Sequence, residues 1–482
     1  MNLRISNFNW KSQSFLILFL AALIQFTASI VTNSVVIILP DISRDLSVNV
    51  NILNWVTLIF FMTTVSCAIP LSKVISQYGV KKYTKFAILA LIIGLVISGI
   101  TMNVELFLFS RVIQGVSIAI LNVSVYMMIV LGLDENETGK ALGIIGSAGY
   151  IGLTISPTLT GFVSYFLSWR FAFFLIVPIL ALQLIIIYFI KDEWKTDRKP
   201  IDNMGSLFYV LLIVSLAYGL SEIKKGGYVF LVGFIIFAAI YLIIERKKEH
   251  PLYNLKLLKD VRYLIGNYAA MVSYFITFIA AYILSLYLQI ALGFDSKTAG
   301  LLLFIQPIIM VFFAPYAGRL SDRKDARLIS AFAMLFLTIS MTMLIFLEHL
   351  PFYMIVVVLI LQGIGHGMFS SPNNRYVITL VDVDDLPDAS SLLATIKEFG
   401  KLFSLSIFNI ICMVYMGNTP VQKSVGGLIQ SSRTMIIITA FVSLSSMILL
   451  LLSKYYFEKD ENPEVIAIMK KVIPKWLKEY FN

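Results

Sequence analysis

Fourteen apolar stretches, each long enough to cross a bilayer as a helix, constrain this chain more than any other feature. About 20 apolar residues are needed for a helix to span the hydrocarbon core. The stretches begin near Phe15, Trp55, Phe86, Leu106, Leu142, Phe171, Ser206, Tyr228, Leu264, Ala299, Leu328, Phe352, Leu392 and Met435. Short alternating segments typical of a membrane β-barrel are absent from the sequence, so the spans are predicted to be helices.

The composition excludes a soluble protein. Of the residues, 59% are apolar and only 14% are charged, and the mean hydropathy is +0.86; a soluble domain is nearer half apolar and a quarter charged. We therefore expect an all-α integral membrane protein surrounded by lipids, with no nucleic-acid partner. Three histidines and two cysteines, Cys67 and Cys412, are too few for a metal site or a disulfide framework.

The distribution of basic residues predicts the orientation of the spans. With the N-terminus inside, 28 of the 38 lysines and arginines fall in cytoplasmic segments. Seven fall outside: Arg44, Arg170, Lys224, Lys225, Lys297, Lys423 and Arg433. This excess follows the positive-inside rule for an even number of spans with both termini in the cytoplasm.

An internal repeat predicts the domain organisation. Residues 71–82, after the second span, resemble residues 317–327, after the tenth. Because the copies lie eight spans apart, we expect two six-helix bundles with two helices inserted between them. The predicted domains are an N-terminal bundle at 14–190, a two-helix insertion with linkers at 191–262, a C-terminal bundle at 263–455 and a cytoplasmic amphipathic tail at 456–482. The tail is interpreted as a helix on the inner leaflet, with a frayed end as the alternative.

Several motifs resemble the major facilitator superfamily. The run from Gly318 to Arg323 is similar to its Gly-x-Leu-Ser/Ala-Asp-Arg loop, and Arg111 with Gln114-Gly115 is similar to its Arg-x-x-Gln-Gly signature. The glycine/proline pattern of the fifth span resembles its antiporter motif. Three further marks resemble the fourteen-helix drug:proton antiporter branch: Ser168-Trp169-Arg170-Phe171, Glu245-Arg246 with His250-Pro251-Leu252, and Tyr287-Leu288-Gln289 with Gly293.

The resemblance implies a secondary active transporter and not an enzyme. Its implied function is proton-coupled efflux of lipophilic or amphiphilic small molecules by a rocker switch, with no cofactor and the proton gradient as the energy source. It further implies a monomer in the plasma membrane of a prokaryote. A membrane sensor and a membrane-embedded lipid-modifying enzyme remain alternatives, and so does a specific metabolite, anion or lipid as the cargo.

Conformational roles are expected for two loops and one helix. In the second loop, which begins at Gly318, Asp322 is predicted to cap the eleventh helix and to pair with Arg319 or Arg323. In the first copy, which contains Gly79, Ser76 occupies the position of the acid. The contact that this loop makes between the two halves is therefore expected to be weaker. The alternative is that the loops only orient the chain by positive charge.

In the fifth span, Gly152 and Gly161 are expected to allow close helix contact and Pro157 a bend. Packing without a conformational role is the alternative.

Six residues are predicted to line the path of substrate and protons: Asn33, Arg111, Gln289, Gln306, His366 and Glu398. Ionisable groups in a membrane are functional candidates because their burial is costly. The alternatives are a snorkelling Arg111, a structural His366 and an ion pair of Glu398 with Lys401. The first span carries no carboxylate, which disfavours lipophilic cations and favours neutral, zwitterionic or anionic cargo.

Overall fold

The computed structural model describes most of the chain as helices. The described residues are 13–133, 135–196, 202–223, 226–246, 248, 255–321, 323–349, 351–381, 386–417, 419 and 423–453. Asp322, the segment His250-Pro251-Leu252 and the predicted tail helix lie outside these residues. Within the described ranges the secondary structure is helical and contains no strand, as the spans predicted.

Sixteen α-helices follow one another in the described part of the chain. They are α1 (Gln13–Asp45), α2 (Val50–Tyr78), α3 (Val80–Ile100), α4 (Val104–Gly132), α5 (Glu135–Phe166), α6 (Phe171–Phe174), α7 (Val177–Phe189), α8 (Asn203–Ser221), α9 (Tyr228–Arg246), α10 (Val261–Leu286), α11 (Ser296–Leu303), α12 (Ile305–Ser321), α13 (Ala326–Leu344), α14 (Phe352–Ile378), α15 (Leu386–Tyr415) and α16 (Val425–Leu452). A π-helical turn, Tyr287–Ala291, extends α10.

Thirteen segments of the described residues are long and apolar enough to cross a membrane. Two of them combine neighbouring helices, α6 with α7 and α11 with α12. Helix α5 occupies the position of the fifth predicted span and has 32 residues, but it is not among the thirteen. Its sequence is rich in Gly, Ser and Thr, which lowers its hydropathy. The count of fourteen spans therefore stays a prediction.

The helices pack in two groups, with α8 in contact with both. Helix α1 packs on α5, and α2 and α3 pack on α4; in the second group α12 and α13 pack on α14, and α10 on α15. Helix α8 lies against α2 and α15. Hydrogen bonds of 2.8 Å from Trp55 Nε1 to Glu222 Oε1 and of 3.1 Å from Asn409 Nδ2 to the Ser221 carbonyl fix its end to both groups. The predicted domain boundaries stay predictions.

In the tight turn between α2 and α3, an acidic side chain from another segment caps the helix. Gly79 has a φ of 124°, and the Ser76 hydroxyl donates to the Lys73 carbonyl of its own helix. Glu193, after α7, accepts a hydrogen bond of 2.9 Å from the Lys81 backbone N–H. A Cβ on residue 79 would lie 2.7 Å from Glu193 Oε1. A carboxylate at a helix N-terminus is favourable, so Glu193 performs the role that the repeat assigned to position 76.

In the second copy, Asp325 caps the helix that follows the turn. Helix α13 begins at Ala326, and Asp325 Oδ1 accepts from the Arg327 backbone N–H at 2.9 Å. Its Oδ2 pairs with Arg327 Nη2 at 2.9 Å. Burial alone would raise the pKa of Asp325, but these bonds lower it below the usual value. Asp322 lies outside the described residues, so its predicted cap and ion pair stay predictions.

Glycines of α5 make close contact at some positions and none at others. A Cβ on Gly152 would lie 2.4 Å from the Phe26 carbonyl oxygen of α1, and a Cβ on Gly161 would lie 2.4 Å from the Ser296 carbonyl oxygen of α11. Gly143 and Gly146 have open space at the same position. Close backbone approach at small residues is how helices associate in lipid. Only the second half of α5 uses it here.

Gly152→Ala is expected to destabilise the protein, because a backbone oxygen cannot move aside for the new methyl group. Overpacking of this kind costs about 1–3 kcal/mol. The matched control is Gly146→Ala on the same helix, which meets open space and should leave stability unchanged or slightly higher. Thermal unfolding of the purified variants measures both effects. Equal melting temperatures for the two variants would contradict the packing described.

Candidate functional site: a central cavity

A cavity of about 460 Å³ lies between the two groups of helices. Residues of α1, α4 and α5 form one wall, and residues of α10, α11, α12, α14 and α15 form the other. This volume suits a drug-sized ligand. The cavity extends as far as Ile378, at the end of α14.

The wall formed by α1, α4 and α5 is polar but uncharged. Its polar side chains are Gln25, Ser29, Thr32, Asn33, Asn122, Tyr126 and Tyr150. Asn33 Nδ2 donates to the Ser29 carbonyl at 2.8 Å, which holds the side chain along its own helix. Among the described lining residues this wall offers hydrogen bonds and aromatic rings, but no ion-pairing group.

All the charged groups that described residues place on the opposite wall come from α15. Lys401 Nζ bonds Glu398 Oε1 at 2.8 Å, so the predicted ion pair of these two residues forms. Lys397 Nζ instead donates to Asn374 Oδ1, a neutral amide oxygen, at 2.8 Å. Both ammonium groups lie near the ring of Tyr274, at 5.5 and 5.6 Å from its centroid. An aromatic face attracts a cation, and Tyr274 therefore helps to hold both lysines.

His366 is fixed between α14 and α10. Its Nδ1 lies 2.8 Å from Ser273 Oγ and 3.0 Å from Thr277 Oγ1. The Thr277 hydroxyl already donates to the Ser273 carbonyl, so its contact with Nδ1 requires a proton on that nitrogen. The geometry therefore favours the Nδ1–H tautomer and leaves Nε2 as an acceptor.

One end of the cavity is closed by direct contact between the two walls. We call this the closed end; it comprises Val36, Asn54, Gly161, Gln289 and Gly300. Ser285 Oγ donates to the Val36 carbonyl at 2.8 Å, and Gln289 Nε2 donates to the Ile37 carbonyl at 2.9 Å.

Two further contacts seal the closed end. Asn54 bonds Asn409 at 2.8 Å and Tyr282 at 2.7 Å. A Cβ on Gly300 would lie 2.6 Å from the Pro157 carbonyl oxygen, so the backbones of α5 and α11 touch. At the opposite end, open space surrounds Gly143 and Gly146.

The predicted path residues divide into two sets. Asn33, Gln306, His366 and Glu398 line the cavity, whereas Arg111 and Gln289 do not. Gln289 lies in the π-helical turn and contributes to the closed end.

Arg111 lies within the packing of the first group of helices, and its exposed fraction is 0%. Its Nε donates to the Val56 carbonyl at 3.0 Å, its Nη1 bonds Gln114, and its Cζ lies 4.3 Å from the centroid of Phe60. The predicted snorkelling alternative does not hold for a buried guanidinium, and neither does a position on the cavity wall.

Sequence reasoning missed several lining residues. Tyr126, Tyr150 and Tyr274 belong to a chain with 23 tyrosines, so no sequence signal separated them from the others. A signal did exist on α14, where His366, Ser370 and Asn374 are four residues apart and therefore share one face.

A bundle of membrane-spanning helices whose two halves enclose a polar cavity is the architecture of a membrane transporter. The family model described as the Major Facilitator Superfamily matches residues 21–259 and 268–480. The chain belongs to this superfamily, and the resemblance drawn from its motifs is confirmed.

Several relatives carry the names of drug and vitamin transporters. Riboflavin transporter RibZ of Clostridioides difficile is 27% identical over 77% of this chain and 82% of its own length. Multidrug resistance protein Stp of Mycobacterium tuberculosis is 22% identical over 79% and 72%, and Multidrug resistance protein 3 of Bacillus subtilis is 24% identical over 74% and 72%. A crystal structure of a D-xylose-proton symporter matches with a TM-score of 0.60 at 14% identity, covering 90% of this chain and 97% of that chain, and shows the fold.

Arg111→Ala is expected to lower thermal stability without changing the affinity of the folded protein for its cargo. The substitution removes the hydrogen-bond donor of the buried Gln114 Oε1, which costs about 1–3 kcal/mol. Thermal unfolding and ligand binding of the same sample separate the two effects. A variant with the melting temperature of the wild type and no transport would instead place Arg111 in the transport mechanism.

Proposed function

We propose that the protein is a proton-coupled antiporter that exports amphiphilic small molecules by alternating access. The observation that carries this proposal is a polar cavity that lies between two helix groups and is closed at one end by their contact. Rocking of the groups would break the contacts at the closed end and form equivalent ones at the other. The multidrug resistance names among the relatives favour export, and RibZ makes a specific metabolite the alternative cargo.

The orientation follows from the charge distribution. Basic residues concentrate in the predicted cytoplasmic segments, which turns the closed end outward and opens the cavity to the cytoplasm. In this proposal α5 also crosses the membrane, which brings the number of spans to fourteen, and both termini are cytoplasmic. The protein works as a monomer in the plasma membrane of a prokaryote, as a transporter and not an enzyme, with the proton gradient in place of a cofactor.

Glu398 is the proposed proton site. It is the one carboxylate lining the cavity among the described residues, and its partner Lys401 lies on the same helix. A proton on Glu398 removes the negative charge that balances Lys401 and changes what the cavity can bind. If cargo and proton exclude each other from Glu398, transport of one in one direction is coupled to transport of the other in the opposite direction. A ligand shifts the equilibrium between the two conformations only through a difference in its affinity for them.

Glu398→Gln is expected to abolish uphill transport and to retain exchange of cargo across the membrane. The amide keeps the shape of the side chain but cannot take up a proton. Proteoliposomes loaded with radiolabelled cargo measure exchange at equal pH and accumulation under an imposed pH gradient. Glu105→Gln is the matched control, since Glu105 is exposed in the first turn of α4 and outside the cavity. Accumulation at the wild-type level in Glu398→Gln would contradict the proposal.

A further inference from the structure

Lys397 of the cavity wall interacts with the charge of the adjacent Glu398 but forms no ion pair with a described residue. Its ammonium group has three donors, and the hydrogen bond to Asn374 Oδ1 uses one of them. Glu398, the next residue in the chain, is bonded to Lys401 and points to a different side of α15, because consecutive residues are about 100° apart on a helix. An ammonium group with unused donors and a neutral partner can receive an anionic group through charge-assisted hydrogen bonds.

The rest of the cavity wall is neutral and aromatic, and it would surround the part of the ligand that carries the anionic group. The residues of α1, α4 and α5 present amides, hydroxyls and the rings of Tyr126 and Tyr150, with no charge. Tyr274 adds a third ring next to Lys397. Aromatic side chains stack on flat ligands and bury a large apolar area. The cavity is therefore built for a planar ring system whose charged groups are all recognised by α15.

We infer that the cargo is an aromatic zwitterion, with its anionic group on Lys397 and its cationic group at Glu398. The inference rests on the proposed proton exchange. A purely anionic cargo would strengthen the binding of a proton to Glu398 by attraction, and cargo and proton would then travel together. A cationic group on the cargo reverses this effect, because it repels the proton from Glu398 and makes the two compete.

The groups that face Glu398 support this competition. The other described titratable groups on the cavity wall are two lysines on α15, three phenols and one imidazole held by hydrogen bonds. They are Lys397, Lys401, Tyr126, Tyr150, Tyr274 and His366. Glu398 is therefore the group at this wall from which a cationic ligand can exclude a proton.

The test uses one ring system with three charge patterns. The probes are 3-(9-anthryl)alanine, a zwitterion, its methyl ester, a cation, and its N-acetyl derivative, an anion. Binding to the purified full-length protein is measured by anthracene fluorescence polarisation. The zwitterion should bind about tenfold or more tightly than either derivative, which corresponds to about 1.4 kcal/mol, and its binding in weakly buffered solution should release protons.

Two variants assign the charges to their residues. Lys397→Met should abolish the preference for the zwitterion over the ester, and Glu398→Gln should abolish its preference over the N-acetyl derivative together with the proton release. Lys191→Met, at an exposed position outside the cavity, is the control and should retain both preferences.

Three results would overturn the inference. The first is binding of the ester as tight as that of the zwitterion or tighter, and the second is the same result for the N-acetyl derivative. The third is no binding of any probe by the folded full-length protein. None of them touches the proposed function, which fails separately if an imposed pH gradient drives no transport of any cargo in proteoliposomes.

Discussion

Contact between helix backbones at the closed end is the interaction on which the rest of the structure depends. Gly161 and Gly300 bring α5 and α11 so close that neither position accommodates a side chain without movement. Hydrogen bonds from Ser285 and Gln289 to carbonyl groups of α1 lie beside this contact. In lipid, where burial of apolar area gives helices no advantage, such contacts carry helix association. They hold the two halves together on one side of the cavity and leave the other side open.

The two walls of the cavity divide their tasks. One wall is neutral and aromatic, and the other carries Lys397, Glu398 and Lys401 on a single helix. Charge inside a membrane persists only with a partner, and here the partners are an amide oxygen, a carboxylate and the ring of Tyr274. In the proposed mechanism, these charges on α15 let one helix respond to both cargo and proton.

The sequence predicted much of the fold because the hydrophobic length and the charge asymmetry of the spans are local properties. The pairing of Glu398 with Lys401 was also predictable, since residues three apart on a helix are neighbours. Contacts between distant segments of the chain could not be predicted from the sequence. Glu193 completes the turn at Gly79 from more than a hundred residues away, and no spacing rule joins them.

The surroundings of Arg111 could not be predicted either. Its position in the fourth span was evident, but which side of the helix faces the cavity depends on how α2, α3 and α4 pack. The hydrogen bonds to Val56 and Gln114 place it in that packing. The face of α14 that carries His366 was predictable, whereas the tyrosines that complete the cavity were hidden among many others.

Cross-linking the closed end tests the account most directly. Phe162 of α5 and Lys297 of α11 face each other there, with Lys297 Nζ 5.2 Å from the ring centroid. Phe162→Cys and Lys297→Cys, combined with Cys67→Ser and Cys412→Ser to remove the free cysteines, allow a short bifunctional thiol reagent to join α5 to α11. With a bis-methanethiosulfonate reagent, whose disulfides a reductant cleaves, the linked protein is expected to stop transporting in proteoliposomes and to recover on reduction, while each single cysteine variant treated alike is unaffected. Unchanged transport by fully linked protein would contradict it.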